Sequence, residues 1–399
     1  MTQVRGSWHL AARGARLLDS DGAVAPTIFA ELSARAAETG AINLGQGFPD
    51  EDGPTEVLEA ARSAIASGRN QYPPGRGVPE LLEAVAEHQE RFYGIHLDPR
   101  TEIIATAGAT EALTAALLAL LSPDDEVVVF EPFYDSYAAA IALAGARLVP
   151  VRLTWPDFQP DLDELSAAVT DRTRVILVND PHNPTGTVFS PAVKSRIVEL
   201  AERHDAVIVT DEVYEHLVFE QPHLPIAALP GAARRTVSIS SGGKTFRATG
   251  WKIGWITAPA DLVTAVLAVK QYLTYANGTP FQPAIARGLV SGDGFFERIA
   301  ADMRHKASVL GAGLTAAGFE VSSPDATYFT VADASALGFD DAAEFCRELP
   351  RLAGVIAVPL TAFVTAAHHD DYRSLVRFAA CKLLDVLEEA ASRLAEIER

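Results

Sequence analysis

From about residue 100, short runs of apolar residues alternate with longer segments in which apolar residues recur at helical spacing. The short runs are typical of buried strands, and the longer segments are typical of amphipathic helices. The predicted strands, by first residue, are EIIATAG from 102, EVVVF from 126, ARLVPVRL from 146, RVILVN from 174, AVIVTDE from 206, TVSISS from 236 and KIGWITA from 252. This alternation predicts a three-layer α/β fold, with a mainly parallel sheet covered by helices on both faces.

The last hundred residues have a different pattern. A helix that ends at a glycine, two strands and a closing helix are predicted from MRHKASVLGAGLTAAG at 303, TYFTVAD at 327, GVIAVP at 354 and KLLDVLEEAASRLAEIE at 382. We therefore expect a smaller α+β domain there. PTIFAELSARAAETG at 26 predicts a helix near the start. The predicted division is an N-terminal arm and small-domain helix over 1–45, a large domain over 46–300 and a C-terminal small domain over 301–399.

Composition and charge narrow the range of possible functions. The chain has 399 residues and a formal net charge of −19, which argues against a nucleic-acid-binding protein. Its two cysteines form no CxxC pair, and the run His368 to Asp371 is more typical of a solvated loop than of a metal site, so we expect no metal. The start lacks a signal-peptide core, and no apolar run is long enough to span a bilayer. The prediction is a cytoplasmic protein that binds neither membrane nor nucleic acid.

Candidate ligand-binding residues follow the predicted strands. In sheets of this kind the equivalent strand ends share one edge, and ligands bind beyond the carboxyl ends. The residues at those positions are Gly108, Ala109, Thr110, Phe133, Asn179, Asn183, Asp211, Tyr214, Ser241 and Lys244. Taken singly, each has an ordinary structural explanation as a turn, a helix cap, a core aromatic or an internal ion pair.

Taken together, these residues predict one kind of ligand. Small residues at a helix start can bind an anion, and Phe133 can stack on a flat ring. Asp211 follows a buried strand, where a carboxylate needs a cationic partner. Lys244 lies among small residues, where burial favours the neutral amine that attacks aldehydes. A phosphorylated, aromatic, phenolic aldehyde with a basic ring nitrogen meets every requirement, and pyridoxal 5'-phosphate is such a molecule.

At this point the sequence resembles a known family, the fold-type I, class I/II aminotransferases. Within that family it is most similar to the branch of kynurenine, methionine and actinobacterial N-succinyldiaminopimelate aminotransferases. The matching stretches are INLGQGFPDEDGP, NQYPPGRGVPELLEAV, EPFYDSY, NDPHNPTG, TDEVYEHLVF, SSGGKTFRATGWKIGW, KQYLTYANGTPFQPA and LVRFAACK. The resemblance implies a pyridoxal-phosphate-dependent transfer of an amino group between an α-amino acid and a 2-oxo acid.

The resemblance also implies a role for individual residues. Lys244 would form the Schiff base with the cofactor, Asp211 would pair with the ring nitrogen, Asn183 and Tyr214 would bind the phenolic oxygen, and Phe133 would stack on the ring. The phosphate would be held by Ala109, Thr110, Ser241, Lys252 and the partner subunit's Tyr72. Substrate would be bound by Gly47, Arg377, Asn183 and Tyr275, and Asn179 would bind the cofactor by assisting at the ring or at the carboxylate. Because Tyr72 and Tyr275 would serve the other subunit's site, a homodimer is implied.

Four positions depart from the family pattern, Ala380 and Val364 among them, and the other two are charged. Asp180 stands where a small hydroxyl residue is common, and Arg247 follows Lys244 where relatives tend to have a smaller residue. One interpretation places Arg247 in the substrate site, where it would bind a distal acidic group of a substrate. The other has Arg247 paired with a surface carboxylate, as arginines often are.

Two other functions share most of these residues. A β- or γ-elimination or replacement enzyme would use the same cofactor site, since a scaffold does not fix the reaction. A non-catalytic ligand-sensing protein is the third possibility. An added DNA-binding domain is usual in such relatives, and none fits this chain, which retains both Lys244 and Arg377.

Overall fold

The computed structural model describes residues 6–18 and 21–397, so the N-terminal arm predicted over 1–45 lies partly outside the described residues. The helices are α1 Trp8–Gly14, α2 Ile28–Thr39, α3 Thr55–Ala66, α4 Pro79–Tyr93, α5 Gly108–Leu120, α6 Asp135–Leu143, α7 Leu162–Ala168, α8 Pro191–Arg203, α9 Gly242–Thr245, α10 Ala260–Lys270, α11 Gln282–Leu289, α12 Asp293–Ala317, α13 Ala342–Leu352 and α14 Leu384–Ala395.

The strands are β1 Ile42–Asn43, β2 Ile103–Thr106, β3 Glu126–Glu131, β4 Arg147–Thr154, β5 Gln159–Pro160, β6 Thr173–Asn179, β7 Val207–Asp211, β8 Thr236–Ser241, β9 Gly254–Thr257, β10 Glu320–Val321, β11 Phe329–Asp333, β12 Val355–Ile356, β13 Val358–Pro359 and β14 Leu375–Ala379. Short 3-10 turns occur at Ile226–Ala228, Ala233–Arg235, Thr249–Trp251, Ser335–Leu337, Leu360–Phe363 and Ala366–Tyr372.

The large sheet has eight strands in the order β2-β9-β8-β7-β6-β3-β4-β5. The neighbours from β4 through β3, β6 and β7 to β8 are parallel, whereas β9 is antiparallel to both β8 and β2. The prediction of a mainly parallel three-layer α/β sheet is therefore confirmed. Since β6, β7 and β8 run side by side in one direction, their carboxyl ends lie together at one edge.

Alternation along the central strands makes the sheet two-sided. Val128 and Phe130 of β3 belong to the apolar cluster on one face, and Val127 and Val129 belong to the cluster on the other. Successive side chains of a strand point to opposite faces, so an unbroken apolar run buries residues on both. The sequence EVVVF therefore encodes a strand that is covered by helices on each side.

The C-terminal part forms a second, four-stranded sheet in the order β10-β11-β14-β13. The predicted single strand GVIAVP is corrected to two short strands in different sheets, because β12 pairs with β1 and β13 pairs with β14. The long helix α12 crosses the predicted boundary at residue 300. The division into 1–45, 46–300 and 301–399 otherwise stays a prediction.

Within residues 6–18 and 21–397, none of the helices is both long and apolar enough to cross a membrane.

Candidate active site

A cavity of about 370 Å³ lies at the carboxyl ends of β6, β7 and β8. It brings together twelve of the residues predicted to bind ligand, from both sheets and the intervening loops. These are Gly47, Gly108, Ala109, Thr110, Asn179, Asn183, Asp211, Tyr214, Ser241, Lys244, Lys252 and Arg377. Phe29, Gln46, Tyr134, Tyr137, Thr249 and Phe329 also contribute to its wall.

Asp211 ends β7 and is buried in the cavity wall. Its Cα is in register with that of Asn179 on β6, whose side-chain amide donates to the Asp211 carbonyl at 2.8 Å. The Tyr137 hydroxyl donates to Asp211 Oδ2 at 2.7 Å. Burial raises the carboxyl pKa, and the hydrogen bond from Tyr137 opposes that rise. The other oxygen, Oδ1, is buried and has no hydrogen-bond partner among the described residues.

Lys244 lies in the short helix α9, directly after β8. The Ser241 hydroxyl accepts from the Gly243 amide at 3.2 Å and so fixes the start of that helix. Lys244 Nζ is 3.3 Å from the Tyr328 hydroxyl and 5.7 Å from the centre of the Tyr214 ring. Burial lowers the pKa of Lys244, which favours the neutral, nucleophilic amine.

Lys252 lies against the start of α5. Lys252 Nζ lies 3.3 Å from Thr110 Oγ1, at a helix end whose free amide groups favour an anion. Gly108 has φ +72°, and a Cβ atom there would lie 3.3 Å from Lys252 Cε. Glycine therefore permits both the left-handed backbone and the close approach of the lysine. This arrangement suits a phosphate group.

Arg377, on β14, is almost fully buried at 1% exposure. Its Nη2 donates to the Gly45 carbonyl at 2.6 Å and its Nη1 donates to Asn183 Oδ1 at 3.0 Å, while Nε has no partner in the described part of the chain. The ring of Phe329 lies 4.2 Å from the guanidinium carbon. Burial lowers the arginine pKa to about 10. Arg377 forms no ion pair with any carboxylate of residues 6–18 and 21–397, so its guanidinium is poised for an anionic ligand.

The predicted stacking residue is corrected by one position. Phe133 packs in the apolar core, and its amide donates to the Phe363 carbonyl at 2.8 Å. Its neighbour Tyr134 lines the cavity instead. Tyr134 has an extended backbone, in which adjacent side chains point in opposite directions, so only one of the two rings can face the cavity.

Arg247 is also placed differently from the substrate-binding role that the sequence suggested. It does not line the cavity; its guanidinium pairs with Glu51 and, at 2.9 Å, with Asp302. The same two carboxylates bind Lys306 at 3.0 and 3.1 Å. The backbone of Arg247 has a φ of +53°, which is a left-handed conformation and not the right-handed one of the preceding helix. The alternative interpretation, pairing with carboxylates, therefore describes Arg247.

The second departure, Asp180, has a structural explanation. Its Oδ2 pairs with Lys194 Nζ at 2.6 Å, and its Oδ1 accepts from the Phe189 amide at 2.8 Å. Both partners of this ion pair are buried and lie outside the cavity wall. The unusual aspartate thus holds α8 against the loop after β6.

Tyr72 and Tyr275, predicted to serve a partner's site, lie away from this chain's cavity. Their rings are 5.8 Å apart, and Tyr72 is 84% exposed. An aromatic pair of this kind on the surface is available for contact with another molecule. Their role in a second subunit's site stays a prediction.

Besides Tyr134, two tyrosines of the site were not predicted from the sequence. The Tyr137 hydroxyl donates to the Asp211 carboxylate. The Tyr328 hydroxyl donates to the Gly47 carbonyl at 2.7 Å and accepts a hydrogen bond from Lys244 Nζ. Tyr137 lies one helical turn beyond Tyr134, a spacing that places both on one face of α6 and is the only local signal for it. Tyr328 is distant from Gly47 in the chain, so local pattern cannot connect them.

The cavity has the features that pyridoxal 5'-phosphate requires. The partnerless Oδ1 of Asp211 suits a protonated ring nitrogen, because a buried carboxylate oxygen is stabilised by a donor. Gly108, Thr110 and Lys252 lie together where they could hold a phosphate, and Lys244 offers an amine in the same cavity. The residues present therefore fit this cofactor.

Comparison with known proteins agrees with this geometry. The sequence profile of the family "Aminotransferase class I and II" matches residues 39–394. The chain is 50% identical over 381 residues to a protein named probable N-succinyldiaminopimelate aminotransferase from Mycobacterium tuberculosis, which covers 93% of this chain and 96% of that one. It is 40% identical over 373 residues to the methionine aminotransferase of Escherichia coli, with 93% and 96% covered.

The fold is also shared with solved structures. The structure of N-succinyldiaminopimelate aminotransferase from Mycobacterium tuberculosis superposes with a TM-score of 0.91 at 50% identity, covering 94% of this chain and 98% of that one.

Tyr137→Phe tests the hydrogen bond to Asp211. Removing a hydrogen bond to a charged group costs about 1.5–3 kcal/mol, so kcat/KM for an amino acid substrate should fall by about tenfold or more. Because this bond lowers the Asp211 pKa, its loss should move the acid limb of the kcat/KM pH profile to higher pH. Tyr93→Phe is the matched control, since it removes a buried tyrosine–carboxylate hydrogen bond outside the cavity. Equal effects of the two substitutions would contradict the assignment.

Proposed function

Because the chain belongs to the class I and II aminotransferase family, and is an aminotransferase of α-amino acids and 2-oxo acids, we propose that its cavity binds pyridoxal 5'-phosphate and that Lys244 is the catalytic amine. One observation carries this proposal. A lysine with a lowered pKa shares a cavity with a buried carboxylate that retains an oxygen without a partner. The elimination and replacement reactions considered from the sequence are not favoured, since the named relatives are aminotransferases.

When bound, pyridoxal phosphate supplies an aldehyde that takes up an amino group and a protonated ring that withdraws electrons from the substrate Cα. The protein's part is to supply proton transfer and electrostatics. Lys244 Nζ, whose pKa is lowered by burial, would accept the proton from the substrate Cα and pass it to the aldehyde carbon of the cofactor. Asp211 would accept the ring N–H through Oδ1 while Tyr137 fixes the carboxylate through Oδ2.

The remaining cavity residues would orient the two ends of the ligand. Thr110, Ser241 and Lys252 would hold the phosphate at the start of α5, where the helix dipole favours negative charge. Tyr134 would stack on the ring. Arg377 would bind the substrate α-carboxylate, since the guanidinium is buried and keeps an N–H without a partner.

Reduction with borohydride tests the catalytic amine. The purified protein should carry the yellow absorbance of the bound cofactor, and reduction should attach the pyridoxyl group covalently to Lys244, as peptide mapping by mass spectrometry would report. Lys244→Ala should take up the cofactor without covalent attachment and should lose turnover. Attachment to another lysine, such as the nearby Lys252, would contradict the proposal.

We further propose that the amino donor carries a distal acidic group, as N-succinyldiaminopimelate does. The support is the 50% identity to a relative named for that substrate, against 40% to the methionine aminotransferase. Arg247 has no part in this recognition, because Glu51 and Asp302 neutralise it.

A substrate panel tests this specificity. N-succinyldiaminopimelate should give a higher kcat/KM than methionine or kynurenine, with the 2-oxo acid product identified by mass spectrometry. Arg247→Ala should change the kcat/KM values for acidic and neutral donors by the same factor. A loss confined to the acidic donor would return Arg247 to the substrate site, and ammonia with a deaminated product would indicate elimination.

We propose a cytoplasmic homodimer in which each site is completed by the partner. The exposed aromatic pair of Tyr72 and Tyr275 supports shared sites. The buried, unpaired cysteines Cys346 and Cys381 support a reducing compartment.

Hybrid dimers test the shared site. Lys244→Ala and Tyr72→Ala each impair both sites of their own homodimer. In a mixed dimer, one site carries both substitutions and the other carries neither, so mixing and re-equilibrating the two variants should restore turnover. A mixture no more active than the sum of its parts would show that Tyr72 serves its own subunit's site. Size-exclusion chromatography with light scattering gives the oligomeric state independently.

A further inference from the structure

A second group of buried polar side chains lies on the far side of β7 from the cofactor cavity. The chain after β7 brings Glu215 and His216 against His88 of α4. The two imidazoles meet through their Nε2 atoms, 2.6 Å apart, with their rings nearly perpendicular at 81°. One ligand atom from each of the three residues lies within 4.8 Å of the others.

We propose that His88, His216 and Glu215 form a binding site for one divalent transition-metal ion of the Zn²⁺ type. Two imidazole nitrogens and one carboxylate oxygen are a donor set that suits Zn²⁺ and leaves a fourth position for water. None of the three residues lines the cofactor cavity, although Glu215 directly follows Tyr214 in the chain. The site would therefore be additional to the catalytic one.

The charge balance of this region favours a cation. Three buried carboxylates lie close together behind the sheet edge. Asp180 pairs with Lys194 at 2.6 Å, and Glu212 accepts from His223 at 2.9 Å. Glu215 forms no ion pair within the described ranges; its partners are the hydroxyls of Tyr93, at 2.7 Å, and Ser240. A buried carboxylate without a counter-ion is costly, and a bound metal ion would compensate it.

The surroundings also match those of metal ligands in proteins. Ligating carboxylates are usually hydrogen-bonded in turn, and the hydroxyls of Tyr93 and Ser240 do this for Glu215. The rings of Phe92 and Phe296 pack at 4.9 and 4.1 Å from the centres of His88 and His216. They form an apolar shell around the site.

An ion has room to enter and to keep a water ligand. A cavity of about 630 Å³ is lined by Tyr93, Glu215, His216 and Phe296 among others. Zn–N bonds of 2.0–2.1 Å in a tetrahedron put two ligating nitrogens about 3.3 Å apart. Relative to the 2.6 Å separation observed, the imidazoles would part by about 0.7 Å, a movement within reach of small χ rotations.

The competing explanation is a hydrogen bond between two neutral imidazoles with no ion. Cobalt binding distinguishes the two, because Co²⁺ replaces Zn²⁺ and its visible absorbance reports nitrogen and oxygen ligation. The untagged holoenzyme is treated with a chelator, desalted and titrated with Co²⁺ and, separately, Zn²⁺. Wild type should bind one ion per chain by metal analysis, with tetrahedral Co²⁺ bands and a higher Tm in Zn²⁺.

His88→Gln should weaken binding by at least about tenfold and abolish the bands and the Tm rise. His96→Gln is the matched control, since His96 is exposed beside Glu90 and should behave as wild type. Cofactor absorbance and transaminase turnover, unchanged in both variants, report correct folding. If His88→Gln does not fold, Glu215→Gln takes its place. A wild type that binds no ion, or a ligand variant that keeps the same Co²⁺ spectrum, would overturn the proposal.

Discussion

The structure depends on charges that are held away from water at one edge of the sheet. Burial shifts the pKa of each main charged residue of the cavity toward its neutral form, upward for Asp211 and downward for Lys244 and Arg377. An oxygen of Asp211 and a nitrogen of Arg377 lack partners in the part of the chain that the structure describes. Such an arrangement destabilises the empty protein and is relieved by a ligand that carries a cationic N–H and an anionic carboxylate.

The sheet makes this arrangement possible because its buried apolar strands hold in place the backbone of the polar residues at their ends. Asn179 and Asp211 end adjacent parallel strands in register, and the amide of one holds the backbone of the other. Two apolar cores, one on each face, anchor those strands. The charged groups are therefore positioned by rigid elements rather than by mobile loops, which suits electrostatic catalysis. Arg377 comes from the second sheet, so the cavity also requires the two sheets to be packed together.

Much of the fold and of the cavity lining could be predicted from the sequence, because strand patterns and family motifs are local signals. Twelve predicted residues line the cavity. The errors have local causes: Phe133 and Tyr134 differ by one step of alternation, and Arg247 itself has a positive φ. The omissions have non-local causes. Tyr328 meets Gly47 and His88 meets His216 only through the fold, at chain separations of 281 and 128 residues. No spacing rule finds such pairs.

The ends of β7 and β8 contribute side chains both to the cofactor cavity and to the buried polar cluster around Glu215. Along the stretch that leaves β7, Asp211 lines the cofactor cavity, whereas Glu212 and Glu215 point into the polar cluster behind it. On β8, Ser241 lines the cavity and its neighbour Ser240 donates to Glu215. Successive side chains of a strand point to opposite faces, so the adjacent ends of β7 and β8 place polar groups both in the cavity and in the cluster behind it. Ser241 fixes the start of the helix that carries Lys244, whereas Ser240 is bonded to Glu215, so the two regions share one strand but use different side chains of it.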